Sequence, residues 1–136
     1  MTQDRTFASE PKSLRKLRSS VLRKSERTTG EVRKHHVYVV ELNPKVLERS
    51  KFQRANPGYE QGKDCLYVGM TGLTPEERFA NHRKGHKASR IVRDFGQKLR
   101  PELYSKYNPL SRKEAEKLEV ELAEELREEG HAVWQN

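Results

Sequence analysis

The sequence predicts an α+β fold, a small antiparallel sheet with helices packed against it. Three observations carry that reading. Two runs rich in β-branched and aromatic residues, HVYVVEL at 36–42 and CLYVGMT at 65–71, have the make-up of strands. Two later segments open with capping boxes, Thr74 to Glu77 and Ser111 to Glu114, which mark helix starts. The elements follow the order β-β-α-α-β-α, with no internal repeat.

Residues 1–34 come first, as a basic arm with ten Lys/Arg against four Asp/Glu. Within the arm, SLRKLRSSVLRKS places Leu14, Leu17, Val21 and Leu22 at helical spacing. Its composition fits a disordered arm with a nascent helix, and equally an amphipathic basic helix that settles on phosphates or a partner. The domain itself is expected over 35–136. Its first strand ends at Asn43-Pro44, where Asn43 caps a short helix through Lys45–Arg54. Asn56-Pro57-Gly58 is a turn, and the second strand returns antiparallel to the first.

Gly69-Met70-Thr71-Gly72 reads as a turn that lets the next helix fold back under the strand of Tyr67, with Gly69 and Thr71 as its structural residues. That helix has Thr74 as cap and Pro75 at its first position, runs to about Lys84 and stops at Gly85. A short helix follows over Ala88–Phe95, closed by Gly96. LRPELY, 99–104, reads as a third strand, confined to an edge because Pro101 has no N–H to give. The last helix spans Arg112–Glu129 and ends at Gly130, leaving HAVW as a short apolar tail.

Only 32% of the chain is apolar and 35% is charged, with a net charge of +8 and a pI near 9.7. Such an excess points to a polyanionic partner, nucleic acid ahead of an acidic protein surface and then an anionic membrane. No apolar run is long enough to span a bilayer, and no signal-type apolar segment opens the chain. The single cysteine, Cys65, can form neither an internal disulfide nor a cysteine-rich zinc site, and no disulfide-linked partner is expected. An intracellular location, cytoplasmic or nucleoid-associated, fits these features. Between Arg78 and Arg100 there are eight Lys/Arg and a single acid, Asp94. Lys84, Lys87, Arg90 and Arg93 are the expected phosphate contacts, giving salt-sensitive and largely sequence-independent binding.

Arg78 and His82 stand four apart, so they share a helix face. Phe79 between them is expected to point to the core, which would keep the pair near the strand layer and not on a solvated surface. In the last helix Ala115, Leu118, Leu122 and Leu126 form an apolar stripe from which most of the glutamates fall away. Glu119 does not, at about 50° from the stripe centre for ~100° per residue. A carboxylate there needs a cation, a donor or a metal, because unpaired burial is costly. Arg78 could pair with it; alternatively it would hold a hard cation that keeps most of its waters, as Mg²⁺ does. Arginine to clamp a phosphate, histidine or tyrosine to move a proton, and a carboxylate-held cation together suit phosphodiester cleavage.

From His36 to Trp134 the chain resembles the GIY-YIG nuclease superfamily. The resemblance rests on Val37-Tyr38-Val39, Tyr67-Val68-Gly69, Thr71, the Arg78-x-x-x-His82 helix and the helical Ala115-x-x-x-Glu119. It implies a three-stranded antiparallel sheet flanked by helices and a divalent-metal-dependent endonuclease that hydrolyses phosphodiester bonds in DNA. Tyr38 and Tyr67 would then act at the cleaved phosphate, one as or near the general base. Arg78 would stabilise the phosphate, His82 would assist proton transfer, and Glu119 would hold Mg²⁺ or Mn²⁺. The chain departs from the pattern at His36, where the family has glycine, at valine for isoleucine in both motifs, and in a longer 43–64 loop. A non-catalytic nucleic-acid-binding module on the same scaffold is the alternative.

Overall fold

Val37, Tyr38, Val39 and Val40 leave no polar side chain to turn outward. A strand of that kind needs cover on both faces. In the computed structural model, which describes residues 32–135, this run is β1 (His36–Leu42), an inner strand of a four-stranded sheet with all four residues buried. β2 (Cys65–Thr71) lies antiparallel to it on one side, so that Tyr38 faces Gly69 and Val40 faces Tyr67. β3 (Gly96–Leu99) pairs antiparallel on its other side, and β4 (Ala132–Gln135) runs parallel to β2, giving the order β3-β1-β2-β4. The α+β class stands, but the sheet has four strands and is mixed, where three antiparallel strands were expected.

Both differences have local causes. Pro101 starts a 3-10 turn, Pro101–Leu103, so the chain stops pairing at Leu99 and the third strand moves to 96–99 from 99–104. The apolar tail HAVW does not end the chain as a loose cap: Ala132–Gln135 adds a strand beside β2. Its outer edge is closed by side chains. Asn56, read as a turn residue, is buried and accepts through Oδ1 from the Val133 N–H at 2.7 Å and from Arg127 Nε at 3.2 Å. Arg127 also donates to the Val133 carbonyl at 3.0 Å, so neither backbone group of Val133 is left for a foreign strand. On β1 an amide does the same job, with Asn108 accepting from the Val37 N–H and donating to its carbonyl, both at 2.9 Å. Replacing Asn56 by alanine strands the buried Val133 N–H. Thermal unfolding is expected to register a loss of about 2 kcal/mol, roughly a 10 °C fall in Tm.

The helix expected over 45–54 divides at the extended Arg49 into a 3-10 turn, Pro44–Glu48, and α1 (Ser50–Ala55). α2 (Pro75–Lys84) and α4 (Arg112–Glu128) each carry the reciprocal capping box expected of them, and Gly85 and Gly130 take the left-handed conformations that stop them. α3 (Arg90–Phe95) begins two residues later than expected. α4 packs against β1, β2 and β4 with Ala115, Leu118, Leu122 and Leu126 buried. Glu125, expected to face away, is buried too, at the opposite edge of that stripe from Glu119.

The amphipathic arm segment lies outside the described residues. Arg33, which belongs to the expected arm, makes a two-pronged ion pair with Glu114 at the start of α4. No helix among the described residues is long and apolar enough to cross a membrane. Cys65 is a buried free thiol.

Candidate active site

The antiparallel register decides where the two tyrosines stand. Tyr38 pairs with Gly69 and Val40 pairs with Tyr67, so both phenols rise from one face of the sheet, two positions apart on neighbouring strands. α2 then lays His82 against them. The ring centroids are 6.0 Å apart for Tyr38 and Tyr67, 6.1 Å for Tyr38 and His82, and 5.8 Å for Tyr67 and His82. All three rings are within 1% of full burial.

Gly69 was expected in a turn, but it lies inside β2, and the chain turns after Thr71, whose Oγ1 accepts from the Leu73 N–H. A methyl group on Gly69 would stand 2.7 Å from the Tyr38 hydroxyl and 2.9 Å from the Tyr67 ring. Gly69 therefore makes room for the two phenols. Phe79 also departs from expectation: it is half-buried beneath the Arg83 guanidinium, and His82 takes the fully buried position on α2. A histidine can do so because both ring nitrogens are engaged. Nε2 and the Tyr38 hydroxyl are 2.9 Å apart, and Nδ1 accepts from the Ser89 backbone N–H at 3.0 Å.

Burial governs the titration of the cluster. It drives the His82 imidazole down to about 4, with Arg78 adding to the effect, so the ring is neutral at physiological pH. It also raises both phenols: burial first, and the Tyr67 hydroxyl second, push Tyr38 far above its usual range, and Arg78 works against them. For Tyr67, burial again dominates, the Tyr38 hydroxyl and Arg78 oppose it, and Glu119 pushes further up.

Arg78 is half-buried and grips the loop after its own helix, donating to the carbonyls of Lys87 at 2.8 Å and His86 at 3.4 Å. Two of the five N–H groups of a guanidinium are used in this way among the described residues. Glu119 is 8% exposed and, among the described residues, makes no hydrogen bond or ion pair, so the pairing with Arg78 does not form. Burial, helped by Glu116, lifts its carboxyl to about 7.

No group of three or more His, Cys, Asp or Glu stands ready for a metal among the described residues. The donor set still fits a cation of the Mg²⁺ type, which needs only one or two carboxylates and keeps its waters. The unpaired Glu119 carboxylate offers one ligand, and the buried Tyr67 hydroxyl, which makes no hydrogen bond among the described residues, offers an acceptor for a coordinated water. Lys84, at the last position of α2, and Lys87, Arg90 and Arg93 beyond it are all exposed, with Arg93 partly occupied by Asp94 at 3.2 Å. Of the residues gathered here, Ser89 had no signal in the sequence, because it acts through its backbone.

Comparison with protein-family models, curated proteins and solved structures finds no match for this chain.

Proposed function

We propose that residues 35–136 form a divalent-metal-dependent endonuclease that hydrolyses phosphodiester bonds in DNA. The observation that carries this reading is the triangle of Tyr38, Tyr67 and His82, with a half-buried arginine and an unpaired buried carboxylate acting on it electrostatically. Arg78 would hold the phosphate through its guanidinium and offset the charge that builds up in the transition state. The two phenols would orient the attacking water and the leaving oxygen, and Glu119 would hold Mg²⁺ or Mn²⁺. When present, the cation supplies Lewis-acid polarisation of a phosphate oxygen. The exposed cations at the end of α2 and beyond it would carry the neighbouring strand of the duplex. The test is nicking of supercoiled plasmid and cleavage of branched duplexes with Mg²⁺ or Mn²⁺. Arg78→Ala is expected to lower the rate by roughly 10²–10³-fold, and equal nicking by both proteins would overturn the reading.

The burial of all three rings favours a second reading, a nucleic-acid-binding module without catalysis, since no phosphate reaches a buried hydroxyl unless the site opens. In both readings, changing Lys84, Lys87, Arg90 and Arg93 to alanine should reduce the slope of log affinity against log salt by about 3–4. Binding that persists in chelator, with no cleavage under any metal, would select the module. Cleavage lost in Tyr38→Phe would remove it.

A further inference from the structure

The Ser89 backbone N–H fixes the direction of every hydrogen bond around His82. A backbone amide can only donate, so His82 Nδ1, 3.0 Å away, must present its lone pair. A protonated imidazolium would place two donors face to face there. A neutral ring with its proton on Nδ1 would do the same. Only the tautomer with the proton on Nε2 satisfies Ser89, and Nε2 lies 2.9 Å from the Tyr38 oxygen. We infer that His82 is locked as its Nε2–H tautomer and donates to Tyr38, which makes it a positioning residue and not a carrier of the proton.

The lock is built into the loop that Arg78 grips. The carbonyls of His86 and Lys87, held by the guanidinium, lie three and two residues before Ser89, and Lys87 sits at a φ of 48° that few non-glycine residues adopt. The same loop presents Lys84 and Lys87 to solvent. The phosphate-facing surface, the arginine and the tautomer of His82 are therefore tied to one segment, residues 84–89. With Nε2–H aimed at it, the Tyr38 oxygen cannot give its own proton to His82. A donor in that position favours the phenolate form of Tyr38 over the phenol. The imidazole keeps its proton throughout, and it is not the base for the attacking water.

The hydrogen-bond direction stands whether or not the chain cuts DNA; only its catalytic consequence rests on the nuclease reading. The test is a two-bond ¹H–¹⁵N correlation spectrum of the full chain at pH 7. Among the five histidines, His82 is assigned through its contacts to the Tyr38 and Tyr67 rings. A protonated Nε2 with a bare Nδ1, unchanged on lowering the pH to 5, is the expected result. A proton on Nδ1, or a doubly protonated ring at pH 7, overturns the inference. With DNA, His82→Gln offers an amide N–H in place of Nε2–H and should cleave within roughly tenfold of the unaltered chain, whereas His82→Ala should lose roughly 10²-fold. Equal losses would refute the positioning role even with the tautomer as inferred. Absence of cleavage in the unaltered chain would count against the nuclease reading alone, because the spectrum decides the tautomer without it.

Discussion

Replacing Glu119 by glutamine is expected to reduce cleavage by roughly 10³-fold and, at pH 8, to stabilise the domain by about 2 kcal/mol. The opposed effects come from one cause. Burial first, and Glu116 second, hold the Glu119 carboxyl at about 7 in place of its ordinary 4.5. A raised carboxyl means that the folded state binds this proton more tightly than the unfolded chain does. Its contribution to stability is complete below about 4.5, fades as the pH rises through 7, and is lost above that. Full conversion of the shift would give about 3 kcal/mol, which the residual solvent contact reduces to about 2. Glutamine has no charge to desolvate, so the variant should escape the loss, and the two proteins should converge in stability near pH 4.5. A cation on the carboxylate reverses the penalty: Mn²⁺ should raise the Tm of the unaltered chain at pH 8 and leave the glutamine variant unmoved. Equal Tm values at pH 8, or cleavage that survives the substitution, would refute the assignment.

The parts of this architecture legible in the sequence are those fixed by neighbours in the chain. The capping boxes at Thr74 and Ser111 and the stops at Gly85 and Gly130 each depend on three or four consecutive residues, and all lie where they were read. β1 and β2 were equally plain, because near-continuous apolar runs of that length leave few alternatives. β4 was not legible. It is four residues long and pairs parallel with a strand 67 positions earlier, so no turn joins the two and no local pattern announces the pairing. Its outer edge is closed by the Asn56 side-chain carbonyl, whose residue type signals a turn just as well.

The site divides along the same line. Glu119 was visible because a helical wheel converts spacing into direction, and its burial agrees with the angle. His82 and Phe79 were read in the wrong order of burial, since hydrophobicity ranks phenylalanine inward. The ranking fails here because two partners, one of them a main-chain N–H seven residues away, satisfy the imidazole inside. Gly69 was assigned to a turn on its residue type, while its reason for being glycine lies on the opposite strand.

That reason makes Gly69→Ala the most informative substitution in the sheet. The added methyl meets the Tyr38 hydroxyl at 2.7 Å, its ring carbon at 2.8 Å and the Tyr67 ring at 2.9 Å, all closer than such atoms come in folded proteins. The backbone has no need of glycine here, because Gly69 is an ordinary strand residue, so the whole effect is steric. Tyr38 is the atom group that must yield. Its hydroxyl is held at its far end by the 2.9 Å contact with His82. Rotation away from the methyl breaks that contact and shifts the hydroxyl by about 1 Å, a displacement that typically costs 10²-fold in rate. Chemical unfolding should show a loss of about 2–3 kcal/mol from overpacking. Tyr38→Phe in the alanine background removes the nearest clashing atom and should return part of that stability, a coupling of about 1 kcal/mol in a double-mutant cycle. Additive effects would mean that the methyl is accommodated by the strands and not by the phenol. In that case Gly69 would have no part in placing Tyr38.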